Sequence, residues 1–85
     1  MTREEYQKYL DDQKSNLSDK DKLSLQREYN KLKSKLPYWI KRMHSVIVVS
    51  ESDWYKLKYA EARYAEISSR LDDLQYLLDI QEPLY

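Results

Sequence analysis

The chain has 85 residues, fifteen Lys plus Arg balanced by fifteen Asp plus Glu, one histidine, no cysteine and no glycine. That length makes one small domain at most, whose core must be efficient or be completed by a second chain. Lack of glycine excludes phosphate-cradling loops and dinucleotide fingerprints, lack of cysteine excludes disulfide scaffolds and thiol chemistry, and zero net charge gives no overall pull towards nucleic acid or an anionic membrane.

The longest aliphatic run, Val46 to Val49, is far short of the roughly 20 residues needed to span a bilayer. With a polar N-terminus and no targeting segment, the expected setting is cytoplasmic. Residues 1–43 hold eleven basic and seven acidic side chains, and residues 44–85 hold four and eight. Halves of opposite sign suit antiparallel helices, within one chain or between two.

Thr2 and Glu5 have the spacing of a capping box, with Met1 and Tyr6 at the positions of a hydrophobic staple, which predicts a first helix over about 3–14. Asn16 is the candidate for a left-handed residue ending it. Ser18 then caps a second helix over about 19–43, with Asp19 and Asp21 in its first turn. Leu25, Tyr29, Leu32, Leu36, Trp39 and Met43 follow at alternating steps of four and three, a heptad seam. Pro37 lies inside this seam and predicts a kink, because its ring removes a backbone donor and crowds the preceding turn.

Residues 44–49 read as a short extended connector, since four β-branched side chains disfavour helix. A strand here could pair with its copy or with a partner's sheet, or could simply plug the end of the helix pair. Ser50 and Asp53 open a third helix over about 51–81, with Val49 and Trp54 at staple positions and Pro83 as its stop. Its seam is Leu57, Ala60, Tyr64, Ile67, Leu71, Leu74 and Leu78. The expected fold is therefore all-α: one domain over 1–85, a three-helix unit on a long, coiled-coil-like antiparallel hairpin. Folding back about residue 47 puts Leu25, the first residue of the second helix's seam, near Ser69, and Leu71, Leu74, Leu77 and Leu78 are left over. They are to be covered by the first helix, by a second protomer, or by both, hence an expected homodimer.

Two constellations stand out. Arg27, Lys31, Lys35 and Arg42 share one face of the second helix with Tyr38, a stripe able to track phosphates or an acidic partner, or simply to be solvated. At the hairpin tip, Tyr38, Trp39, Trp54, Tyr55 and Tyr59 gather around the connector, the residue types that dominate binding hot spots. Catalysis finds no support. Asp11–Asp12 and Asp72–Asp73 are helix neighbours pointing about 100° apart, and His44 stands alone at a helix end, suited to capping carbonyls. No cofactor or metal is expected. The reading that results is a non-enzymatic module that modulates or inhibits a protein partner through the tip and the basic face, in the manner of a regulator or a mobile-element inhibitor of a host factor. Two alternatives are a sequence-tolerant nucleic-acid-binding dimer and a self-assembling structural coiled coil.

Overall fold

A computed structural model describes residues 1–82, and Pro83, expected to stop the third helix, lies outside them. Three helices make up the fold: α1 (Arg3–Ser15), α2 (Asp19–Ser45) and α3 (Glu51–Leu78), with no strand among the described residues. The long helices α2 and α3 pack together as a hairpin, and α1 docks on α3, giving a body of 49 × 28 × 19 Å.

Each helix begins where a serine or threonine accepts an orphan backbone N–H. Thr2 Oγ1 accepts from the Glu5 N–H at 3.2 Å, while Ser18 with Asp21 and Ser50 with Asp53 form complete reciprocal capping boxes. The staples do not form, since Met1 is 88 % and Val49 83 % exposed. Asn16 is not left-handed either. Its φ is −104°, and α1 ends through side-chain bonds from Ser15 and Asn16 to the Asp12 carbonyl.

Helix α2 runs unbroken through Pro37 and continues to Ser45. His44 is thus in its last turn and not in the connector, and the hydroxyl of Ser45, not the His44 ring, bonds a free carbonyl, that of Arg42 at 3.1 Å. Running two residues further than expected shifts the register. Glu28 pairs with Arg70 and Trp39 with Tyr59, both about a midpoint at position 49 and not 47.

That shift settles the fate of the surplus leucines. With α2 reaching further along α3, Tyr29 and Leu36 form a core with Ile67, Leu71 and Leu74, and Leu25, Leu32, Trp39, Tyr64, Leu78 and Ile80 flank it. Leu71 and Leu74 are fully buried and Leu77 is buried within a single chain, so these side chains present no surface for self-association. Every residue of both heptad seams is buried or half-buried.

Helix α3 stops at Leu78, three residues early, because Asp79 adopts φ 56° and ψ 37°. The Ile80 N–H bonds the Gln75 carbonyl at 2.9 Å and the Asp79 N–H bonds the Tyr76 carbonyl at 3.4 Å, a Schellman ending with Ile80 packed on the core. In a glycine-free chain, aspartate takes the left-handed position that its short polar side chain tolerates. The reversal carries Glu82 back to α2, where it accepts from the Tyr29 hydroxyl at 2.7 Å and pairs with Lys33 at 2.6 Å.

Candidate interaction surface

Seven of the eleven exposed large apolar side chains among the described residues lie at the hairpin tip: Tyr38, Ile47, Val48, Val49, Trp54, Tyr55 and Tyr59. Local structure explains the exposure. The seams use the inward positions of both helices, so Tyr38, Tyr55 and Tyr59 point outward. The connector is too short and extended to bury its own side chains, and Ile47 remains 78 % exposed. Such a concentration of apolar surface at one end of a small chain makes the tip the candidate contact surface.

Among the expected contact residues, Trp39 differs from the rest. It is half-buried against the core and serves as a bridge, meeting Tyr38 edge-on at 4.9 Å and Tyr59 across the hairpin at 5.8 Å. Trp54 packs edge-on against Tyr55 at 5.0 Å. Two cations that the sequence reading passed over buttress these rings. Arg63 lies 5.9 Å from the centre of the Trp39 ring, and Lys58 lies 5.7 Å from that of Trp54. Arg63 Nε is buried without a hydrogen-bond partner, so the ring face partly replaces one. Lys58 was legible as the i+4 neighbour of Trp54, whereas the Arg63–Trp39 contact crosses between helices and needed the register.

Arg27, Lys31, Lys35 and Arg42 are all exposed along α2 and form no ion pair with any described residue. Tyr38, 56 % exposed, stands between Lys35 and Arg42 and joins this stripe to the tip. The acids at the tip are committed elsewhere. Asp53 accepts from the backbone N–H groups of Val49 and Ser50, both at 3.3 Å, and these bonds hold its carboxyl below the usual range. Glu51 is within 3.5 Å of the Tyr55 hydroxyl.

The opposite end of the molecule is held by polar contacts. The Tyr6 hydroxyl donates to Asp73, the Tyr76 hydroxyl donates to Asp11, and Lys14 pairs with Asp79 while lying 4.6 Å from the Tyr76 ring centre. Glu28 and Arg70 form a two-pronged pair at 2.7 and 3.1 Å, which lowers the Glu28 pKa. Its polarity opposes the charge of the two halves, whereas Lys14–Asp79 and Lys33–Glu82 join a base of the first half to an acid of the second. Between α1 and the start of α2 is an open groove lined by Tyr9, Leu17, Leu25 and Arg70.

Among the described residues, no group of His, Cys, Asp or Glu could hold a metal ion, and no helix is long and apolar enough to cross a membrane. Comparison with protein families, curated proteins and solved structures finds no match to this chain.

Proposed function

We propose that the chain is a non-enzymatic, cytoplasmic module that docks on another protein through its hairpin tip and modulates or blocks it. The observation carrying this reading is the concentration of exposed aromatic and aliphatic side chains at the tip, with Tyr55 at 58 % and Tyr59 at 59 % exposure. Large rings with few rotatable bonds bury much area at small entropic cost, which is why they dominate hot spots. Trp39, Arg63 and Lys58 support this surface from behind, so Tyr38, Trp54, Tyr55 and Tyr59 are presented on a braced platform. A homodimer built on Leu71, Leu74 and Leu77 is disfavoured, because these side chains are buried within one chain.

Affinity capture from native lysate, with nuclease treatment, tests the reading. A protein retained after nuclease by the unaltered chain, but lost with Trp54→Ala and Tyr55→Ala, is the expected outcome. Equal capture by all three chains refutes it.

A second reading rests on the unpaired cations of α2: sequence-tolerant binding of single-stranded nucleic acid, with Tyr38 stacking on a base. It requires an affinity that falls steeply with salt and disappears in Lys31→Glu/Lys35→Glu.

A further inference from the structure

We infer that the partner presents an acidic, amphipathic segment that lies along α2, with its carboxylates on the basic stripe and its apolar end on the tip. This rests on the protein-docking reading and names the chemistry of the occupant. Between positions 35 and 61 the sequence has five cations and three acids, and Glu61 pairs with Lys58, leaving four cations against Glu51 and Asp53. Both acids are engaged locally, Asp53 in the cap of α3 and Glu51 beside Tyr55. The stripe continues from there up α2 through Lys35 and Lys31 to Arg27, a cationic face whose charge no described residue pairs.

The shape of this face selects among possible occupants. At about 1.5 Å per residue, Lys35, Lys31 and Arg27 stand roughly 10, 16 and 22 Å further along α2 than Arg42. An anionic bilayer seated on the apex would reach Arg42 but leave the other three beyond a Debye length of about 8 Å. A nucleic-acid strand could follow the stripe, but its phosphates gain nothing from Ile47 and Val49, which are 78 % and 83 % exposed. An elongated segment with acids along its length and apolar side chains at one end satisfies both parts of the surface.

The test is anisotropy of a fluorescein-labelled helical peptide with glutamates on one face and leucines at one end. Parallel probes are its lysine-for-glutamate isomer, an oligothymidylate and phosphatidylglycerol vesicles, each titrated with the full chain. The acidic peptide is expected to bind in a salt-sensitive way and to lose about tenfold or more in affinity with Lys31→Glu/Lys35→Glu and, separately, with Ile47→Ser/Val49→Ser. Equal binding of the lysine isomer overturns the acidic-partner inference and leaves tip docking standing. Binding of the oligothymidylate or vesicles without the peptide overturns both. Binding of none of the probes overturns the inference, as does concentration-dependent self-association that Lys31→Glu/Lys35→Glu abolishes, which would assign the face to a second copy.

Discussion

Replacing Tyr55 and Leu74 separately by alanine distinguishes a presented surface from a core. Tyr55 is 58 % exposed, meets Trp54 edge-on at 5.0 Å and has one long hydroxyl contact, to Glu51 at 3.5 Å. Its truncation removes one aromatic pair and a contact at the limit of hydrogen bonding, about 1 kcal/mol at most. Leu74 is fully buried in the core cluster that also holds Tyr29, Leu36, Ile67 and Leu71, and its truncation leaves a cavity costing about 2–5 kcal/mol. For a domain of this size each kcal/mol lowers Tm by roughly 4–8 °C. Tyr55→Ala should therefore melt within roughly 8 °C of the parent, and Leu74→Ala at least about 8 °C lower, by circular dichroism at 222 nm. Partner affinity should move in the other order, with Tyr55→Ala losing about 2 kcal/mol, near thirtyfold, in calorimetric titration. A Tyr55→Ala chain that melts as low as Leu74→Ala would refute the reasoning, because the tip would then be core.

Pro37→Ala should raise stability by up to about 3 kcal/mol in urea titration, since α2 passes through this exposed residue and alanine restores the missing donor. At the left-handed end of α3, Asp79→Val should cost about 1–2 kcal/mol while Asp79→Gly stays near the parent, relief of the positive φ offsetting the lost pair with Lys14. Acid should weaken the fold through three carboxyls: Glu28 held down by Arg70, Asp53 by the backbone N–H groups of Val49 and Ser50, and Glu82 by Lys33. Because their folded pKa values lie below the unfolded ones, their contribution is complete above about pH 5 and is lost as pH falls through the folded values. Thermal melts between neutral pH and pH 3 should show Tm falling only below that point, and a Tm already falling between pH 7 and 6 would contradict it.

The heptad seams were legible because burial follows a period of 3.5 residues, which sequence displays directly. Leu36, Ile67 and Leu71 all sit where that period puts them. The helix starts were equally legible, because Ser18–Asp21 and Ser50–Asp53 carry their capping geometry in adjacent residues. Helix ends were not. Without glycine, the choice between Asn16 and Asp79 as the left-handed residue depends on what the following chain can reach, and only after Asp79 does it find Tyr29 and Lys33 through Glu82.

A displacement of two residues in the pivot changes which side chains of α2 and α3 face each other. Turning at 47 would set Leu71 and Leu74 beyond Leu25, the first residue of the α2 seam, with no seam residue of α2 opposite them. Turning at 49 brings them into one buried cluster with Tyr29, Leu36 and Ile67 and leaves the apolar surplus at the connector. The polar contacts follow the same division. Tyr6–Asp73, Tyr76–Asp11 and Lys14–Asp79 tie α1 to the C-terminal part of α3 and the residue after it, while Arg27, Lys31, Lys35 and Arg42 form no ion pair with any described residue. Pairing these four cations with acids of the same chain would have added little stability at an exposed surface. Kept free beside Tyr38 and the connector, they would keep their value for the proposed partner, whose approach would remove water from both the charged and the apolar parts of the face.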